Sequence, residues 1–540
     1  MLTVALQQKQ IDNEVLNYIS TLEKENQELK TNYQQQTQSL LDFQNKYLAL
    51  EELYTLMLLK RFGRSAERLM EDPGQVLLFT EEPEQAEQVE KEEEQKETVK
   101  SYTRKKAGRK PLNDKLKREV VEIDLPESEK ICSHCHQEMT RIGFEPSEIL
   151  KIIPLQILVQ LIKRYKYACK NCEGVDNEDI APTVKIAPVP PSMIPKSITS
   201  PSLLSTIFTY KFERHIPYYR QEKMYEEIGA DISRQDMSNW QQQVYQKITP
   251  LLELLLKTVK SGPVLQMDET TVQVISDRKS EEEARKDTQK SYMWLARGGP
   301  PGKKVTWYEY HPTRAGYNAK EFLEGYSGYL QTDGYTGYDL AVEGRTDIHH
   351  VGCFAHARRK FFEASQVDKK SLSAQEGIKY IRKLYDIEDE LREVLEKDKD
   401  TDKFLRERKE QVEPILEKFK AWLIKRKDEV LPSCLLGKAV NYSLAQWDKM
   451  TAYVESPYLT PDNNAAENAI RPFVLGRKNW LFCQSQGGAK SSCGIYTLIE
   501  TAKQNGIVPF DYLMALFEKA PLAVTQEDWE KLLPWNIFTA

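Results

Sequence analysis

The chain has 540 residues, 40% of them hydrophobic and 29% charged, with a formal net charge of −6 and eight cysteines. That length calls for roughly three or four domains, and no window holds the ~18 uninterrupted apolar residues of a membrane span. The opening MLTVALQQKQIDNE lacks the basic head, apolar stretch and cleavage site of a secretory signal, so an intracellular address without disulfides is expected.

Val15, Leu22, Leu29, Phe43, Leu50 and Met57 recur every seven residues, broken only by Gln36, and Ile19, Asn26, Tyr33, Leu40, Tyr47 and Tyr54 form a second row. Two such rows predict a coiled coil over about residues 10–60, inside a dimerisation helix spanning 1–70. Asn26 lies on the seam, where a buried amide favours one register and a dimer. Three tyrosines in its row widen the seam, and a long helix packed on its own chain is the competing reading.

Residues 71–120 read as a linker whose charge is segregated. Residues 81–97 hold nine Glu against two Lys, whereas residues 101–120 hold eight Lys or Arg against two acids. The first run reads as disordered, and the second as an extended arm in which Arg104, Lys105, Lys106, Arg109 and Lys110 are candidate phosphate contacts. A solvated tether without a partner is the alternative.

Cys132-Ser-His-Cys135 and Cys169-Lys-Asn-Cys172 supply four thiolates in two tight pairs, the pattern of one structural, tetrahedral Zn²⁺. A zinc ribbon over 121–185 is expected, with the intervening ILKIIPLQILVQLIKRYKYA forming a hairpin between the knuckles. Cys353, Cys434, Cys483 and Cys493 lack paired spacing and read as buried thiols. After a Pro-rich connector, residues 186–260 are helical. The stretch YYRQEKMYEEIGADISRQDMSNWQQQVYQ sets a helix, a turn at Gly229 and a second helix capped by Ser233, resembling a helix-turn-helix. Its second helix would present Arg234, Gln235, Ser238 and Asn239 to DNA; an ordinary structural helix pair is equally compatible.

From residue 261 the pattern changes to strands. PVLQMDETTVQVI places Asp268 inside an apolar strand, where a carboxylate is costly unless a cation compensates it. SYMWLARGG and KVTWYEYHP follow in hairpin order, GYLQTDGYTGYDL carries Asp333 at a strand end beside Gly334, and HHVGCFAHARRKFFEA reads as strand then helix. This order matches a ribonuclease-H-like α/β domain over 261–480. Residues 366–450 read as an inserted helical hairpin and 481–540 as a C-terminal helical element. In TPDNNAAENAIRPFVLGRKNWLF, Asp462 or Asn463 can cap a helix that sets Asn463, Glu467 and Arg471 on one face. Taken alone, Glu467 reads as a surface residue. The fold class is thus multidomain α+β: coiled coil, zinc ribbon, helical DNA-binding region and catalytic domain.

FGRSAERL, the paired knuckles, PYYRQEKMYEEIGADISRQDMSNW, QMDET, TDGYTGYD, CFAHARRKF, NNAAENAIRPFVLGRKNWLF and IETAKQNGIVPFDYL together resemble the transposases of the insertion sequence 66 family, in the same order over nearly the whole chain. The resemblance implies an enzyme that cuts DNA ends and joins the freed 3′-OH to target DNA, with Asp268, Asp333 and Glu467 holding two Mg²⁺ (or Mn²⁺) ions about 3.5 to 4 Å apart. Glu269, Asp339 and Asp347 are competing acids expected to be structural. Arg358, Arg359, Arg471, Arg477 and Lys478 would then neutralise phosphates, while His356 and Trp480 read as structural. The implied partners are double-stranded DNA, a second copy of the chain or more, and companion proteins of the same element, on the bacterial nucleoid in the cytoplasm. A zinc-containing DNA-binding protein without catalysis and a hydrolytic nuclease of the same fold are the alternatives.

Overall fold

The computed structural model describes residues 2–62, 156–168, 184–275, 290–368 and 371–539. The basic arm and the four knuckle cysteines lie outside the described residues. The chain divides into two compact units, Met1–Pro83 with Ile162–Ala540, and Glu84–Leu161; of the second, residues 156–161 are exposed and without regular structure. No helix among the described residues is long and apolar enough to cross a membrane. The protein is mostly helical with one mixed sheet.

Helix α1 (Leu2–Phe62) carries both heptad rows, which are exposed from Val15 to Met57. A different face meets the rest of the unit. Glu52 accepts from Leu435 N at 2.7 Å, Leu56 packs among Ala364, Ala374 and Leu435, and Lys60 pairs with Glu363 at 2.7 Å. Residues 52, 56 and 60 are spaced by one helical turn, so docking leaves the seam free.

Strand β1 (Lys166–Ala168) pairs antiparallel with β2 (Val184–Ile186). Of the hairpin expected within ILKIIPLQILVQLIKRYKYA, residues 149–155 lie outside the described residues; residues 156–165 form no strand, and KYA pairs with a strand beyond the second knuckle. Helices α2 (Pro201–Phe208), α3 (Tyr218–Glu227), α4 (Arg234–Lys247) and α5 (Thr249–Val259) follow. Gly229, at φ +84°, makes the turn between α3 and α4, and the Ser233 side chain accepts from Asp236 N to start α4.

The sheet has the order β5-β4-β3-β6-β7. Its strands are β3 (Val264–Val272), β4 (Ser291–Gly298), β5 (Val305–His311), β6 (Gly328–Gln331) and β7 (Ile348–Val351). β3, β4 and β5 are antiparallel neighbours; β6 and β7 add parallel to β3 and to each other. Parallel strands need crossovers, which α6 (Gly316–Phe322) and α7 (Thr336–Val342) provide. Helix α8 (Phe354–Val367) leaves β7 for the insertion, α9 (Leu372–Asp398), α10 (Thr401–Glu429) and α11 (Leu435–Ala445). Helices α12 (Asn464–Trp480), α13 (Gln486–Gln504) and α14 (Pro509–Lys519) follow.

One hydrophobic core joins α2 to α5, the sheet, α12, α13 and α14, so the boundaries expected at 260 and 480 both fall inside it. Edge strand β5 explains why. Thr497 and Thr501 of α13, one turn apart, accept from the N–H groups of Tyr308 and Thr306 at 3.0 and 3.2 Å, covering an edge that would otherwise stay open.

The insertion has its own core against α8. Arg408, fully buried, donates to Glu388 at 2.6 Å and to the carbonyls of Tyr453, Ser456 and Leu459 at 2.9 to 3.0 Å. Arg392 donates to Glu388 and to the carbonyl of Pro457. These bonds fasten the insertion to the loop that leads into α12. Arg408→Ala leaves Glu388 with Arg392 alone and strands several buried carbonyls, so chemical denaturation should show a loss of about 3–5 kcal/mol; a loss under about 1 kcal/mol contradicts this clamp.

Candidate active site

Register brings the two aspartates together. Gln266 of β3 is paired with Gln331 of β6, and Gln266 Nε2 donates to Gln331 Oε1 at 2.9 Å, so the two side chains share a face. Asp268, in the middle of β3, and Asp333, two residues past the end of β6, each lie two residues beyond this pair, and the side-chain period returns Asp268 to the same face. Gln331 Nε2 in turn donates to Thr460 O at 2.7 Å, tying β6 to the segment before α12. Asp333 Oδ1 accepts from Tyr335 N at 2.9 Å, which fixes the turn after β6. Gly334 has no left-handed φ. A Cβ there would lie 2.8 Å from the Tyr442 hydroxyl, so the requirement is space.

Glu467 arrives from α12. Asp462 Oδ1 accepts from Asn464 N at 3.0 Å and so satisfies the helix start, which frees the Asn463 amide to donate to Met267 O at 2.9 Å. That bond staples the helix to β3 one residue before Asp268. Glu467, one turn later, is only 7% exposed, against the surface position that its helix pattern suggested. Arg359 and His356 of α8 face it at 3.6 and 3.8 Å, both longer than hydrogen bonds, and Glu467 Oε1 is buried with no donor.

The electrostatics confirm a shared neighbourhood. Burial, followed by the charges of Glu269, Glu467 and Asp333, holds the Asp268 carboxyl well above the usual carboxylate range. Burial pushes Glu467 up to about 7, with Arg359 opposing and Asp462 and Asp333 reinforcing. The competing acids already have protein partners. Glu269 meets Arg314 through Oε1 at 2.5 Å and accepts from Tyr338, Asp339 pairs with Lys449 at 2.5 Å, and Asp347 pairs with Arg345 at 2.7 Å. Among the described residues Asp268 and Asp333 accept one backbone N–H each and no cation.

The predicted cations are distributed unevenly. Arg359 lies beside Glu467, Arg471 is close enough to lower the Glu467 pKa, Arg358 is buried and Lys478 is exposed. Arg477 turns to β3, donating to Thr271 O and to Thr271 Oγ1, the latter at 2.6 Å. Arg234 and Gln235 are exposed at the start of α4, Arg234 facing Glu222 and Gln235 donating to Asn239. Trp480 packs edge-on against Phe473, as a core residue does. Burial lowers His356 to about 4, so its ring is neutral at neutral pH. Of the four unpaired cysteines, Cys353 and Cys493 are buried; Cys434 and Cys483 are half-buried, and Cys434 Sγ caps α11. Cys353 stands next to Glu467 and His356, a neighbourhood whose only sequence signal is the Cys353-Phe-Ala-His356 spacing.

The raised Glu467 pKa sets a pH dependence. The folded chain holds this proton more tightly than the unfolded chain does, so the associated stability is fully present below about pH 4.5 and is lost as pH rises through about 7. In chelator, Glu467→Gln should exceed the parent in stability at pH 8 by on the order of 3 kcal/mol, and match it near pH 4. Denaturation curves with the same offset at both pH values would contradict the assignment.

Comparison with known proteins identifies the family. The model described as Transposase IS66 family matches residues 196–491, more than half of the chain. The IS66 C-terminal element matches 497–535, the zinc-finger binding domain of transposase IS66 matches 129–173, and Transposase C of IS166 homeodomain matches 49–121. The uncharacterized protein y4jD of Sinorhizobium fredii is 28% identical over 422 residues, 76% of this chain and 78% of that protein. Protein y4hP of the same organism is 28% identical over 461 residues, 81% of this chain and 78% of that protein. With one family matched over most of its folded length, the chain belongs to the IS66 family of transposases.

Proposed function

We propose that the chain cuts the ends of its DNA element and joins the freed 3′-OH to target DNA, using Asp268, Asp333 and Glu467 as the ligands of two Mg²⁺ or Mn²⁺ ions. The observation that carries this reading is the meeting of an acid from the central strand, an acid from the end of its parallel neighbour and an acid from a following helix. A sheet with three antiparallel strands extended by two parallel ones is the layout of a ribonuclease-H-like domain, which supports the same fold here.

The residues fit divalent cations. Burial first, and then neighbouring acids that include Asp333, hold Asp268 and Glu467 above the usual carboxylate range; Asp268 and Asp333 lack a protein cation, and Glu467 Oε1 is buried without a donor. When bound, such ions activate an attacking oxygen and stabilise the leaving 3′ oxygen. The chain's own work is to hold the acids against their repulsion, to bring Arg359 and Arg471 to the phosphates, and to keep water-excluding walls around them. His356, neutral at neutral pH, is not suited to donate a proton there. The zinc-finger match supports one structural Zn²⁺ on Cys132, Cys135, Cys169 and Cys172. Arg104, Lys105, Lys106, Arg109, Lys110, Arg234 and Gln235 are the proposed DNA contacts outside the site, and the work belongs on the nucleoid in the cytoplasm. The unfilled heptad seam favours a homodimer, and proteins of the same element are possible further partners.

A labelled element-end duplex with Mg²⁺ or Mn²⁺ tests the reaction. The parent should cut and join, and Asp268→Asn, Asp333→Asn and Glu467→Gln should each lose both by orders of magnitude while binding the duplex. No cutting by the parent supports a zinc-containing binder, and cutting without joining supports a hydrolytic nuclease. Undiminished joining in one variant removes that residue from the site. For the seam, Leu22→Lys with Leu29→Lys should halve the mass seen by light scattering; an unchanged mass places self-association elsewhere.

A further inference from the structure

Beside the three acids lie two ligands, Cys353 and His356, that the proposed reaction leaves unused. Cys353 is the residue before α8, His356 sits in the first turn of that helix, and Glu467 in the first turn of α12. One ligand atom from each lies within 4.8 Å of the others. His356 Nδ1 and Glu467 Oε1 are both buried without a hydrogen bond and face each other at 3.8 Å. That is too long for a hydrogen bond. It is a few tenths of an ångström more than the ~3.4 Å that separates two ligand atoms bound tetrahedrally to one Zn²⁺ at about 2.0–2.1 Å. Two orphaned polar atoms and a thiol converging on one point are a ligand set without its ion.

We propose that Cys353, His356 and Glu467 form a second site, sharing Glu467 with the first, for a borderline transition-metal ion, Zn²⁺ first among them. One sulfur, one nitrogen and one oxygen suit Zn²⁺, Co²⁺ or Cd²⁺ and suit Mg²⁺ poorly, because Mg²⁺ takes oxygen ligands. Binding breaks the Cys353 S–H bond, forms a sulfur–metal bond and releases the proton to solvent. The Asn463 N–H, which already points at Cys353 Sγ at 3.3 Å, then donates to the thiolate. Three protein ligands leave a fourth position open. Glu467 is common to this site and to the proposed catalytic one, so the consequence for activity rests on the proposed function: an ion held here draws Glu467 away and inhibits.

Metal uptake tests the site without DNA. The full-length chain, holding one equivalent of Zn²⁺ on its knuckle cysteines, is titrated with Co²⁺. A further equivalent should bind with a thiolate-to-cobalt charge-transfer band. Cys353→Ser should lose that band, and His356→Gln, which spares the buried thiol, should weaken binding at least about tenfold. Zn²⁺ should also inhibit Mg²⁺-dependent cutting by the parent far more than by Cys353→Ser. An undiminished band in Cys353→Ser, or no cobalt uptake beyond the knuckles, overturns the site. If the chain binds the extra Co²⁺ as described yet never cuts DNA, the site stands and the catalytic reading falls.

Discussion

The Asn463 amide donating to the Met267 carbonyl is the bond on which the site depends. It joins a helix start to the central strand one residue before Asp268, and helical geometry then fixes Glu467 one turn away. The bond is available because Asp462 takes over the capping role that Asn463 would otherwise fill. A second constraint, the parallel register of β3 and β6, aligns Asp268 with Asp333. Together they hold the acids close enough that the Asp333 charge disfavours ionisation of both Asp268 and Glu467, an electrostatic condition a divalent cation relieves.

Distance along the chain explains the rest of the architecture. More than a hundred residues separate Asp333 from Glu467, most of them in the helical insertion, and a loop of that length closes at only a slowly growing entropic penalty. What it must do is return to a defined place. Arg408 and Arg392 gather the carbonyls of residues 453 to 459, Gln331 takes Thr460 O, and Phe354 N donates to Pro461 O at 2.9 Å. The insertion thereby acts as a rigid brace for the segment that delivers Glu467. On the opposite side of the sheet, α13 covers β5, so the edge strand of the sheet is satisfied by side chains rather than by another strand.

The parts of this arrangement that follow from local patterns were legible in the sequence. An acid inside an apolar strand marked Asp268, a strand end marked Asp333, and Gly229 with Ser233 marked the α3–α4 turn. The heptad rows were legible too, although the face that docks, Glu52, Leu56 and Lys60, shows no distinguishing period. Glu467 was not legible from its own helix, because its burial comes from β3 and α8. The same holds for Cys353, which a lone spacing of two residues before His356 hardly announces, and for Gly334, whose need arises from Tyr442. Arg477 read as a phosphate contact by position, but β3 supplies acceptors that no local pattern reveals. The pairing of β1 with β2 likewise joins short segments on either side of the second knuckle that no local pattern links.

The most direct test of the central claim is a crystal structure of the full chain with element-end DNA and Mn²⁺, read by anomalous scattering. The account predicts manganese peaks held by Asp268, Asp333 and Glu467. Manganese at other residues, with Glu467 still turned to Arg359 and His356, would contradict it.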